Sequence, residues 1–258
     1  MKIEKKKFGI KMCYFWFDYP DSISHRGLVG YYDMLEPVEL SDKQIVVSKR
    51  DAFTLRNDLR LSEDELLKAF ESNVRNEVRR AKRDGCECKV VSSLEKPIPR
   101  ELIGEFDAAH IEMNKQKGLP YVSLAKELMQ YNEQSVLIIT IAYINEVAVA
   151  YHIYLCGDGI VRLMYSVSSF RNITDSKEKA AIGRANRLLH FEDMMYFKLN
   201  GYLIYDWGGY STDEKLAGIN AFKRGFGGVL GPSYYVVATE SKTMGFCARM
   251  IKKVKDKK

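Results

Sequence analysis

Residues 177–228 gather the side chains best suited to chemistry in this chain. They read as a helix carrying Lys179, Ala180, Ala181, Ile182, Gly183, Arg184 and Ala185, a stop at Gly201, a strand through Tyr205-Asp206-Trp207-Gly208-Gly209, and then Phe222-Lys223-Arg224-Gly225-Phe226-Gly227. Backbone N–H groups in the first turn of a helix have no intrahelical partner and sit at the positive end of its dipole, so small side chains there let a phosphate approach. Gly183 with its alanine neighbours leaves that approach open, and Lys177, Lys179 and Arg184 can add charge. Asp206, at the end of the predicted strand, precedes Gly208 and Gly209, which allow a ligand close to the backbone. Its carboxylate can bind an acceptor or take its proton, or it can cap the turn. A phosphate-bearing donor beside an acceptor site is the layout of group transfer.

Other residues offer the remaining chemistry. His152 alternates with Tyr151 along a predicted strand and suits either a base lining a cleft or a hydrogen-bonded core histidine. His110 lies on the helix that precedes Lys117-Gly118 and reads either as part of an acceptor pocket or as a structural residue. His190 reads as packing. Lys223 can contact phosphate or sugar, or can simply be a cation favoured at a helix C-terminus.

Composition excludes several classes. The chain has 258 residues, 46% of them apolar, enough for a substantial core in one or two domains. No stretch approaches the roughly 20 apolar residues of a membrane span, and Asp18 follows the short aromatic run of the basic N-terminus without a small-residue cleavage site, so a cytoplasmic location is expected. Five scattered cysteines, with Cys86 and Cys88 spaced too tightly for a zinc knuckle, give no metal site or disulfide framework. The net charge of +6 permits an anionic ligand, and part of it lies in a basic tail, residues 252–258, expected to be frayed and solvated. There is no phosphate loop ending in Gly-Lys, no Gly-x-Ser-x-Gly elbow and no paired His/Glu zinc helix.

The elements that must position these residues follow from periodicity. Short strands are expected over 8–17 and 44–55, with a loop over 20–37. Ser62 and Glu65 form a capping-box signal, and Leu66, Phe70, Val74, Val78 and Ala81 predict one long helix ended by Gly85. Its other face carries Arg75, Arg79, Arg80, Lys82 and Arg83, which suit either a solvated face or a rim for phosphates or an RNA backbone. After Pro97 and Pro99 come helices over 100–117 and about 124–131, then an antiparallel meander of three strands, 135–144, 147–156 and 160–167. A helix from near Ser176, the strand to Asp206, a helix over 213–224, a strand over 233–239 and a basic helix complete the order. The change of character near Pro97 divides the chain into 1–96 and 97–258.

Several segments resemble FemAB-like proteins, the peptidoglycan bridge-forming aminoacyltransferases and their GNAT-fold acyltransferase relatives. They are Thr54-Leu55-Arg56-Asn57-Asp58-Leu59 leading into the basic helix from Asn73 to Gly85, Met113-Asn114-Lys115-Gln116-Lys117-Gly118-Leu119-Pro120, and the C-terminal blocks containing Tyr205-Asp206-Trp207-Gly208-Gly209 and Phe222-Lys223-Arg224-Gly225-Phe226-Gly227. The resemblance implies an α/β (α+β) fold, a GNAT-like, mixed and mainly antiparallel sheet flanked by helices, with a partial second lobe in residues 1–96. It implies transfer of an acyl group from an activated donor, acyl-coenzyme A first, to an amine of a sugar or cell-envelope precursor. Ile182-Gly183-Arg184-Ala185 fits the end of the coenzyme A loop, while Ala180 stands where the loop has Arg or Gln. Tyr165 and Ser166 would lie where the acyl group passes, Tyr165 protonating a leaving thiolate or orienting the carbonyl. An aminoacyl-tRNA-dependent transferase is the second implied reading, with Arg75 to Arg83 holding RNA, and a noncatalytic RNA- or glycan-binding protein is the third. Sequence leaves the oligomeric state open.

Overall fold

In the computed structural model, residues 1–7, 10–17, 27–169 and 173–255 are described. They form two compact units: residues 1–54, 209–211 and 230–258 make the first, and 55–208 with 212–229 make the second. The division at 96/97 is not followed. Residues 55–96 join the second unit because β5 (Glu87–Ser92) pairs antiparallel with β6 (Leu137–Ile144). Residues 230–258 join the first because β10 (Val229–Thr239) pairs antiparallel with β3 (Leu28–Met34).

The first unit holds β1 (Lys2–Lys7), β2 (Ile10–Trp16), β3 and β10 in that order, with β1–β2 antiparallel and β2–β3 parallel. Cys13, Phe15, Val29, Tyr31, Met34, Val236 and Ala238 form its core. Strand β3 falls where a loop was expected over 20–37. Gly30 and Asp33 disguise it, yet each has a place in the strand. A Cβ on Gly30 would lie 2.5 Å from the Tyr14 and Tyr32 rings, and buried Asp33 accepts hydrogen bonds from Ser233, at 2.9 Å, and Tyr235. Phe8 and Gly9 of the expected strand over 8–17, residues 20–26 of the expected loop, and the side chains of the expected frayed tail over 252–258 lie outside the described residues.

In the second unit the end of β4 (Ile45–Asp58) is followed by β9 (Ile204–Tyr210), β8 (Ile160–Ser168), β7 (Val147–Gly157), β6 and β5. The expected meander is present as β6–β7–β8, antiparallel throughout, and β8–β9 is parallel, so this sheet is mixed. Helix α5 (Ser176–Leu199) packs on α2 (Ser72–Arg83) and on β6 and β7, and α3 (Arg100–Gln116) packs on β8 and α4 (Ala125–Glu133). A 3-10 turn, Glu214–Leu216, leads into α6 (Ala217–Arg224), and α7 (Lys242–Lys255) belongs to the first unit.

The single long helix expected from Ser62 to Gly85 is two. The capping box starts α1 (Glu63–Ala69): Ser62 Oγ accepts from Glu65 N at 3.3 Å and Glu65 accepts from Ser62 N at 2.8 Å. Phe70 and Glu71 are then extended, with ψ of 148° at both. Burial explains the break. Phe70 meets the rings of Phe191 and Phe226 edge-on, and Glu71 N donates to Gly225 O at 2.8 Å instead of to its own helix. The Arg75 guanidinium donates to the carbonyls of Leu67 and Phe70, so it caps α1 and is not part of a free basic face. Ser62→Ala is expected to cost about 1 kcal/mol, read as a shift in denaturant midpoint without a change in slope.

Candidate active site

The parallel pairing of β8 with β9 covers Ile160–Arg162 against Ile204–Asp206. Beyond it the strands leave room for a cavity of about 650 Å³. Leu163, Ser166 and Ser168 line it from β8 and Trp207 from β9, with Met113 and Lys117 from the end of α3 and Gly218, Ile219, Phe222 and Lys223 from α6. Gly208 sits at the divergence with φ +70°, and a Cβ there would come within 2.9 Å of Leu163 O, so only glycine suits both its conformation and its neighbour. Trp207 is fixed from behind by its Nε1–H donating to Asn57 Oδ1 at 2.7 Å.

Helix α5 supplies the longest wall. Ser176, Lys179, Ala180, Gly183, Asn186, Arg187 and His190 recur at steps of three and four and therefore share one face. Ile182, Ala185 and Leu189 lie on the face packed into the core with Ala142, Val149 and Ala150. The tetrapeptide 182–185 is thus split between wall and core. It is also not a helix start. The helix begins at Ser176, and the Asp175 side chain accepts from Glu178 N at 2.7 Å. At Gly183 the amide lies beyond the first four, so it is not one of the free donors expected to hold a pyrophosphate. Arg184 points to Asp84, 3.4 Å away.

Among the described residues the lining includes the cations Lys117, Lys179, Arg187 and Lys223 and no carboxylate. Arg187 is oriented by Glu77 at 2.7 Å and by the Phe222 ring, whose centre lies 5.0 Å from its guanidinium carbon. Lys223 Nζ donates to Gly208 O at 3.3 Å. Burial, with the Arg162 charge nearby, pushes the Lys223 ammonium down to about 8.

Beneath the cavity floor lies a buried polar circuit. His152 Nδ1 is 2.7 Å from Asp193 Oδ2, which also accepts from Tyr154 OH at 2.6 Å and Thr140 Oγ1 at 3.1 Å. Tyr154 OH is 2.7 Å from Tyr205 OH, and Tyr205 OH is 2.8 Å from His190 Nδ1. The His152 and His190 rings stack at 3.9 Å. Nδ1 of His152, Nδ1 of His190 and Oδ2 of Asp193 are all engaged in these hydrogen bonds.

Of the residues picked from sequence, Lys117, Lys179, Gly183 and Lys223 meet in the cavity. Others do not. Asp206, expected as the base, is buried with its carboxylate turned to Arg56 Nε at 2.9 Å and Gly208 N at 2.7 Å. His152 is buried behind Asn186, which reaches its Nε2 at 3.0 Å. His110 stacks on Phe106 and bonds Asn114, and burial holds it below its usual range. Tyr165 packs against His110 and Phe106, and burial pushes its phenol up. Gly208 contributes its carbonyl to Lys223, while Gly209 is exposed with open space around it. Arg187, Asn186 and Asp193 went unpicked. The step of three and four along α5 was their signal: Asp193 follows Leu189 by four on the apolar stripe, an anomalous place for a charge.

No family model matches the chain, and no curated protein matches its sequence. Solved structures do. FemX superposes with a TM-score of 0.59 at 14% identity over 91% of this chain and 83% of that one. The C-terminal domain of a putative lysylphosphatidylglycerol synthetase from Agrobacterium fabrum gives 0.52 at 12% identity, covering 98% of this chain and 84% of that one. L-PGS from Bacillus licheniformis gives 0.51 at 16% identity, covering 87% and 73%. Among the described residues no helix is long and apolar enough to cross a membrane. The chain therefore has the GNAT-like α/β fold, mixed sheet and flanking helices, that the FemAB-like resemblance implied and that FemX shares.

Proposed function

We propose that the protein is an acyltransferase that moves an acyl group from an activated, phosphate-bearing donor to an amine of a sugar or cell-envelope precursor. One observation carries the reading: the cavity at the divergence of β8 and β9 is lined by Lys117, Lys179, Arg187 and Lys223, with no carboxylate among the described residues that line it, over an apolar floor that includes Trp207 and Phe222. Cations in a partly dry cleft favour phosphate and the oxyanion of a tetrahedral intermediate. Lys223, near 8, can stabilise that charge and exchange a proton close to neutral pH.

Acyl-coenzyme A is the first donor to test, and aminoacyl-tRNA is the second. The latter is favoured by one observation, the engagement of the Gly183 amide within α5, which removes the free N–H groups a coenzyme A pyrophosphate would use there. A donor that binds the native state at one hundred times its Kd adds about 2.7 kcal/mol of stability. Coenzyme A or acetyl-coenzyme A is therefore expected to raise Tm, and Gly183→Glu, which puts a carboxylate into the cavity wall, to abolish the rise. A rise with aminoacyl-tRNA alone selects the second donor. No rise with either, and no acylated product by mass spectrometry, overturns the proposal.

A further inference from the structure

The hydrogen-bonded circuit has a direction, and it follows from counting donors. Tyr154 OH donates to Asp193 Oδ2. Tyr154 has one hydroxyl hydrogen, so across the 2.7 Å contact Tyr205 must donate to Tyr154. The Tyr205 hydrogen is then committed, and across 2.8 Å its oxygen must accept from His190 Nδ1–H. A neutral His190 protonated at Nδ1 carries its lone pair on Nε2. His190 is itself a lining residue of the cavity.

His190 is held neutral. Burial comes first in pushing its imidazolium well below the usual range, followed by the charges of His152, Lys223 and Arg187. Around the ring stand His152, Tyr205, Trp207, Phe222 and Phe226, together with the Asp193 carboxylate, whose oxygen lies within 4.8 Å. An imidazolium is therefore disfavoured when a proton arrives at Nε2. That proton has an exit. Asp193 Oδ1 is buried and accepts no hydrogen bond among the described residues, so this carboxyl group keeps an unsatisfied oxygen.

We infer that His190 Nε2 is the proton acceptor of the cavity and that Tyr205, Tyr154 and Asp193 are positioning residues that draw the proton through it. This rests on the acyl-transfer reading for its substrate, an amine that must lose one proton as its nitrogen bonds the acyl carbon and the leaving group departs. In the step, Nε2 takes that proton, Nδ1–H passes to the Tyr205 oxygen, the Tyr205 hydrogen to the Tyr154 oxygen, and the Tyr154 hydrogen to Asp193 Oδ2. His190 ends neutral as the other tautomer, Asp193 ends protonated, and no charge is left beside the cavity cations. The return shift, with the proton handed to the leaving group or to water, resets the chain.

The test has two arms. With histidine labelled by 15N, two-bond proton–nitrogen spectra read the tautomer directly, and His190→Gln assigns the signal among the four histidines. His190 is expected to stay neutral with Nε2 unprotonated at neutral pH and to take up a proton only well below the ordinary histidine range, and Tyr205→Phe to release Nε2–H. A wild-type His190 protonated at Nε2, or titrating near its ordinary value, overturns the inference whatever the activity. The second arm follows transfer in Tyr154→Phe and Tyr205→Phe, whose rings keep the packing. The expected result is kcat lowered at least tenfold with KM unchanged and the solvent isotope effect altered, at unchanged circular dichroism. Full kcat in both variants overturns the relay while leaving the acyl-transfer reading intact. Absence of any transfer by the wild type, with the expected tautomer present, removes the acyl-transfer reading and the catalytic role of the relay together, and leaves the hydrogen-bond direction standing.

Discussion

Lys223→Met is expected to make the empty protein more stable and the loaded protein nearly inactive. Lys223 is held at about 8, against 10.5 for an unperturbed lysine, with burial as the first cause and Arg162 as the second. At about 1.4 kcal/mol per pH unit, holding the ammonium in the native cavity costs on the order of 3 kcal/mol. The sign sets the pH window. Below about pH 8 the lysine is charged in both folded and unfolded chains and the full cost is felt. Between 8 and 10.5 the folded form is neutral while the unfolded form is charged, so the cost shrinks, and above 10.5 it is gone. The methionine variant, similar in length and uncharged, should therefore melt several degrees higher at neutral pH, with the advantage fading as pH rises. Ligand binding should move the opposite way. Losing one charge-assisted contact to phosphate or oxyanion removes roughly 2 kcal/mol, or more than tenfold in kcat/KM, and further loss follows if the same amine exchanges a proton. A variant that melts lower than wild type at pH 7 would show that the ammonium is stabilised in the empty cavity, contrary to this account.

Asp206→Ala is expected to unfold the protein more than it changes any chemical step. The Asp206 carboxylate is 2% exposed and faces the Arg56 guanidinium at 15%. Removing one partner strands the other charge in a dry site, a loss of about 3–5 kcal/mol. It also frees the Gly208 amide, whose hydrogen bond to Oδ1 helps hold the turn at the strand divergence. Replacing both partners with apolar residues, Arg56→Met with Asp206→Leu, should recover a good part of the stability because no unpaired charge remains. The decisive comparison is between stability and turnover. If the double variant folds, with a restored melting transition, and still binds donor and transfers the group, Asp206 is a structural anion. If it folds but is inert with donor bound, Asp206 takes part in the reaction after all.

The sequence was most legible where pattern and position agree. The three-strand meander, the helix from Ser176 and the strand ending near Asp206 were visible in periodicity alone, because each buries one face against a continuous core. The break between α1 and α2 was not. Leu66, Phe70, Val74 and Val78 keep helical spacing across it, and what interrupts the helix is tertiary: Phe226 and Phe191 engage Phe70, and Gly225 takes the Glu71 amide. No window of local sequence contains those partners. Strand β3 was hidden for a related reason, since Gly30 answers to the ring of Tyr14, on the neighbouring strand, and Asp33 to Ser233 and Tyr235 on another.

The site divides in the same way. Cations at helix ends and on helix faces, Lys117, Lys179 and Lys223, could be picked by type and spacing. Asp206 read as either an acceptor-site residue or a turn cap, because a carboxylate before two glycines at a strand end suits both; its bond from Gly208 N fits the cap, and only the pairing of β9 with β4 reveals Arg56 opposite it. His152 and Asp193 belong to elements 41 positions apart and acquire meaning only through their 2.7 Å contact. Sequence order brings neither to the other.

The pairing of β3 with β10 sets Met34 opposite Tyr234, and with it a timetable for synthesis. Strands β1 to β3 leave the ribosome long before the strand that completes their sheet has been translated. The whole of the second unit, with its own core, is made in the interval and can fold while the first three strands wait with one hydrogen-bonding edge uncovered. An unpaired β3 edge carrying Tyr31 and Tyr32 is a hazard during that wait, so slowed translation of residues 55–229 should lower the soluble yield, whereas supplying more time after residue 239 should not.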